Sequence, residues 1–77
     1  MMKAKIPALI KLGENIRNLR EQKGISQEEL AHEAGLDRTY IGGVERGERN
    51  PTIVSSLKIA QALEVELSQL VKEVSSA

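Results

Sequence analysis

The sequence predicts an all-α protein, a compact bundle of five short helices forming a single domain over residues 1–77. Three observations carry that expectation. Apolar residues recur at helical spacing along almost the whole chain, and no segment has the alternation of a half-buried strand. Tyr40 is the one aromatic residue, so the core must be built from Leu, Ile, Val and Ala, which suits small, closely packed helices. Cap and stop residues also divide the chain into short pieces. A chain of 77 residues lies near the lower limit for a self-sufficient core, and without cysteine it has no disulfide or thiolate–zinc staple. Gaining stability by self-association is the expected remedy.

The elements follow in order. Leu9, Leu12, Ile16 and Leu19 make one apolar stripe on a first helix, which Gly24 ends, with Lys23 placed where a cation suits the helix dipole. The run "ISQEEL" opens a second helix: Ser26 and Glu29 form a capping box, and Ile25 and Leu30 a hydrophobic staple. Leu30, Ala31 and Ala34 face inward, and Gly35 stops the helix. Only Leu36 separates Gly35 from the next cap, Asp37, and so tight a glycine-containing turn between short helices is a helix-turn-helix pattern over approximately residues 26–47. In the third helix Ile41 and Val44 are inward, while Arg38, Thr39, Gly42, Gly43 and Arg46 fall on the outward face. Gly47 closes it and "ERNP" forms a polar loop. Thr52 caps a fourth helix with Ile53, Leu57, Ala60 and Leu63 at helical spacing, and a fifth carries Leu67, Leu70, Val71 and Val74 on one face. So small a domain cannot bury all of that last stripe, so Leu70, Val71 and Val74 are expected at a two-fold dimer interface.

The third helix is poorly made for a purely structural role. Arg38 stands at the positive end of the dipole, and each of Gly42 and Gly43 costs roughly 1 kcal/mol against alanine. Eleven basic and eleven acidic residues give no net charge, which argues against a non-specific nucleic-acid binder and leaves a specific one open. The opening "MMKAKIPALIKLG" is too short and interrupted for a signal peptide or membrane span, so a cytoplasmic protein with no membrane partner is expected. Enzymatic chemistry has nothing to stand on: no nucleophile–base arrangement and no glycine-rich phosphate loop are visible. His32 lacks a second metal ligand, and Glu28, Glu29 and Glu33 look like a solvated helix face. No catalytic residue, metal or cofactor is expected.

The stretches "IRNLREQKGISQEELAHEAGLDRTYIGGVERGERNPTI" and "LKIAQALEVELSQL" resemble the Cro and phage-repressor (xenobiotic-response-element) type of helix-turn-helix regulators, over residues 10 to 72. Within that family "LDRTYIGGVERGERNPT" is most similar to the controller proteins of restriction–modification systems. The resemblance implies a lambda-repressor-like DNA-binding domain whose third helix enters the major groove while the second lies across the backbone. Arg38, Thr39 and Gly43 become the base-reading set: Arg38 can donate two hydrogen bonds to guanine, and bare glycines admit the groove closely. Gln27, Tyr40, Arg46, Arg49 and Asn50 become phosphate contacts. Glu45 is expected to pair with Arg20 as a structural salt bridge. The implied partners are double-stranded DNA, read at a palindromic operator, and a second copy of the chain; no small-molecule effector is expected. Simpler readings stand beside these. Arg38 can be a surface arginine balanced by Asp37, Tyr40 a core or dimer residue, and Arg49 a solvated loop charge. The alternative function is a protein-interaction module on the same fold, a toxin-neutralising partner or coactivator bridge.

Overall fold

The computed structural model describes residues 5–77; the domain expected from residue 1 is therefore described from Lys5 onward. Helix α1 spans Pro7–Lys23, α2 Gln27–Ala34, α3 Arg38–Glu45, α4 Ile53–Leu63 and α5 Leu67–Leu70, and a 3-10 turn follows over Val74–Ser76. No strand occurs among the described residues.

Local chemistry accounts for most of the boundaries. Pro7 opens α1, where its missing N–H costs no hydrogen bond and its fixed φ suits the first turn. Gly24 and Gly35 end α1 and α2 in the left-handed conformation, at φ 76° and 68°. The Ser26 hydroxyl accepts from the Glu29 amide at 3.0 Å, and the Glu29 carboxylate accepts from the Ser26 amide at 2.9 Å, completing the capping box. Hydrogen bonding from the Ser26 backbone amide, and secondly from its hydroxyl, holds the Glu29 carboxyl below its ordinary value. Thr52 caps α4 by accepting from the Ser55 amide at 3.0 Å.

Ile16, Leu30, Ile41, Ile59 and Leu70 are fully buried, one from each helix, with Val44 beside them. Helix α1 packs against α3, α4, α5 and the terminal turn, while α2 lies against both α3 and α4. Gly13 sets how closely α1 meets α3. A Cβ there would fall 2.5 Å from the Glu45 carbonyl oxygen and also collide with that of Val44.

Two expectations about the core are corrected. On α4 the buried stripe is Ser56, Ile59, Ala60 and Leu63, whereas Ile53 and Leu57 are 64% and 43% exposed. Of the expected stripe Ala60 and Leu63 do enter the core, while Ile53 and Leu57 lie off the buried face and Ser56 and Ile59 take their place. The fifth helix is a single turn, so its expected common face splits. Leu70 enters the core completely, Leu67 and Val74 pack against the core's edge, and Val71 remains 45% exposed. Leu70 therefore cannot offer its side chain to a second subunit. Asn15 helps to stop α5 where it does, because its amide nitrogen donates to the carbonyls of Leu70 and Lys72 at 2.8 and 2.9 Å.

Candidate nucleic-acid interface

The turn between α2 and α3 is fixed from both sides. After Gly35 the Leu36 amide bonds back to the Ala31 carbonyl at 2.9 Å, and Asp37 caps α3 by accepting from the Thr39 amide at 3.3 Å. Arg38 is thereby the first residue of α3, fully outside the core, with Thr39 exposed beside it. The far end of α3 closes through Gly47 at φ 74°, as the Glu48 amide bonds to the Gly43 carbonyl at 2.9 Å. Gly47 also lies against α1, where an added Cβ would sit 3.0 Å from the Ile10 Cα.

A polar network braces this helix from beneath. Arg20 grips Glu45 with two bonds, Nε to Oε2 at 2.7 Å and Nη2 to Oε1 at 3.0 Å, the paired-fork geometry of a strong charge-assisted contact. Its third donor, Nη1, reaches the Ile25 carbonyl at 2.9 Å, just ahead of the cap of α2. Gln27 adds a bond from Nε2 to Glu45 Oε1 at 2.9 Å. Both charged side chains are nearly out of solvent, at 12% and 2% exposure. The hydrogen bond to Glu45 raises the Arg20 pKa further, outweighing the opposing effect of burial. One arginine thus ties α1, the entry to α2 and the end of α3 to a single carboxylate. Among the described residues no buried side-chain polar atom lacks a partner.

The residues singled out in the sequence occupy varied places. Arg38, Thr39, Arg46, Arg49 and Asn50 are exposed. Arg46 pairs with Glu48, Nε to Oε1, at 2.9 Å, and its carbonyl accepts from Lys5 Nζ at 2.9 Å, bringing a further cation to this end of α3. Tyr40 is half-buried against the core and lines a shallow cleft with Leu36, Asp37, Thr39, Arg49, Thr52 and Ser55. Gln27 is turned onto Glu45, so its amide braces the motif in the free protein. The glycines differ most from expectation: Gly42 and Gly43 are buried, not bare. Over Gly42 lie the Arg46 guanidinium and the Gln27 carboxamide, and over Gly43 lies the Arg49 stem. Lys5, Asn15 and Gly13 were not singled out; their roles rest on contacts with residues far along the chain, which no local pattern announces.

An exposed, cation-led helix held by a rigid helix-turn-helix is the arrangement of a DNA-binding regulator. A family model described as "Helix-turn-helix" matches residues 16–70, and the chain belongs to that family of transcription regulators. Its relatives include restriction–modification controllers. The control protein C.SmaI of Serratia marcescens is 48% identical over 59 residues, covering 77% of this chain and 70% of its own. The crystal structure of the controller C.AhdI from Aeromonas hydrophila superposes with a TM-score of 0.80 at 55% identity, covering 80% of this chain and 94% of that one. A variant of the controller C.Esp1396I matches 95% of this chain and 92% of its own, with a TM-score of 0.83 at 37% identity. For C.Esp1396I, structures also exist in which an arginine, a threonine and a tyrosine at consecutive positions are each replaced.

Proposed function

We propose that this chain is a homodimeric regulator that reads a roughly palindromic operator with α3 of each subunit, in the manner of a restriction–modification controller. The observation that carries the reading is Arg38, an exposed cation at the start of a helix whose dipole disfavours it. A guanine edge or a phosphate opposite supplies what the protein itself withholds. The likeness to controller proteins supports it, as does the tripeptide Arg38-Thr39-Tyr40, whose residue types match the run altered in C.Esp1396I. In this reading Arg38 and Thr39 contact bases, while Arg46, Arg49, Asn50 and the Tyr40 hydroxyl fix the register on phosphates. Half-sites lie about 34 Å apart, one helical turn. Two copies pair through the apolar residues that α4 leaves uncovered, Ile53, Val54 and Leu57, together with Val71.

Selection from a random double-stranded DNA pool, with wild type and Arg38→Ala in parallel, tests this. The wild type is expected to enrich two-fold-related half-sites. The variant should lose preference at one guanine per half-site, with a discrimination loss of roughly 1–3 kcal/mol. If the wild type enriches nothing at moderate salt, the DNA reading fails and a protein partner becomes the better explanation of the fold.

A further inference from the structure

The two interior glycines of α3 are buried, and at Gly43 the covering group is a single side chain. A Cβ built on Gly43 would lie 2.6 Å from Arg49 Cγ, 3.5 Å from Nε and 3.6 Å from Cδ. The Arg49 stem thus crosses the helix where a side chain would otherwise stand. Arg49 lies beyond the end of α3, and the turn at Gly47 brings it back across the outward face. Thr39 is on that same face, one turn before Gly43, and it lines a common cleft with Arg49 and Tyr40. At Gly42 the fit is looser, with Arg46 Nη1 at 3.0 Å and Gln27 Oε1 at 3.4 Å from the added atom.

We infer that Gly43 is a positioning residue: lacking a Cβ, it seats the Arg49 stem flat across α3, so that Arg49 joins Thr39 on the surface presented to DNA. The inference rests on the DNA reading above. It reverses the sense in which the glycine matters, because the bare position serves the protein's own arginine and not direct approach by the groove. Even the smallest side chain at 43 would lift the stem. What it meets is side chain and no backbone, so rotation of Arg49 about χ1 would let the fold accommodate the change, and the interior glycine's helix penalty would be relieved.

The test is a cycle of Gly43→Ala, Arg49→Ala and the double variant, measured for melting temperature and for affinity to the operator selected by the wild type at several salt concentrations. The Arg49 side-chain Nε–H resonance is also followed without DNA. Gly43→Ala is expected to melt no lower than wild type, to shift the Arg49 resonance, and to bind roughly tenfold or more weakly, as removal of one charge-assisted hydrogen bond implies. The double variant should bind as Arg49→Ala does, and both should show a salt slope shallower by about one for each phosphate that Arg49 no longer neutralises. Unchanged affinity in Gly43→Ala, or losses that multiply in the double variant, would overturn the inference. A wild type that selects no operator overturns the DNA reading instead. The resonance then judges the seat alone, and if it does not move in Gly43→Ala, the seat is overturned too.

Discussion

Gly13 and Gly43 both lie inside helices, yet the same substitution should act on them in opposite directions. At Gly43 the obstacle is a movable arginine stem; at Gly13 it is the backbone of α3, with the Glu45 carbonyl oxygen 2.5 Å from the added atom. Backbone cannot yield without separating α1 from α3. Gly13→Ala should therefore be destabilising despite its gain in helix propensity, by roughly 1–2 kcal/mol net. That predicts a melting temperature lower by roughly 4–16 °C for a domain of this size, read by circular dichroism. A variant as stable as wild type would mean that the helices do not meet as closely as described. Nothing local in "IKLGENI" distinguishes this glycine from a merely tolerated one, because its reason lies more than thirty residues away. The weakness of α3 was legible, since two adjacent glycines are visible in any reading. What covers them was not, because Arg49 reaches Gly43 only after the chain has turned at Gly47.

Among the elements, α2 and α3 were the most legible. Their caps, stops and staple act within a few residues, so "ISQEELAHEAGLD" contains nearly the whole instruction for the turn. The same locality gives a pH prediction. Glu29 has a folded pKa below its ordinary value, so its contribution to stability is full above the ordinary carboxylate range. It is lost as pH falls through the depressed folded value. Glu29→Gln, which keeps an acceptor for the Ser26 amide but no longer titrates, should remove that acid-side dependence, visible as a smaller loss of thermal stability between neutral and acidic pH; an identical acid limb would sink the assignment. On α4 the expected stripe was half right: Ala60 and Leu63 are buried, but Ser56 and Ile59 take the inner face in place of Ile53 and Leu57, a choice made by packing against α1, α2 and α5. The brace across elements makes a separate prediction. Arg20→Met strands the Glu45 carboxylate in a nearly dry site and should cost roughly 3–5 kcal/mol, whereas Arg20→Met with Glu45→Leu should recover much of the loss. Denaturant unfolding of both variants measures it, and a double variant no more stable than the single one would show that the pair itself supplies the stability.

For the whole molecule, the proposed dimer requires that a domain with so small a core present two reading heads at a fixed spacing. Leu70 is spent inside the core, so the expected interface on the fifth helix loses its largest member. The uncovered apolar side chains stand mostly on α4: Ile53 and Val54 are 64% and 57% exposed, and Leu57 43%. These are the residues that α4 holds outside the domain, where a second copy would cover them and set the angle between the two α3 helices. Leu57→Lys puts a charge into that patch without touching the core residues of the same helix. It should give a monomer by sedimentation equilibrium, with helix content kept. Because a dimer doubles every phosphate contact, the monomer's log-affinity should fall with log salt at about half the wild-type slope. The two measurements constrain one another. A monomer that keeps the full slope would mean that one subunit makes all the phosphate contacts, and a variant that stays dimeric would place the two-fold axis away from α4. Halving of both mass and slope would tie the exposed stripe of α4 to the operator's symmetry.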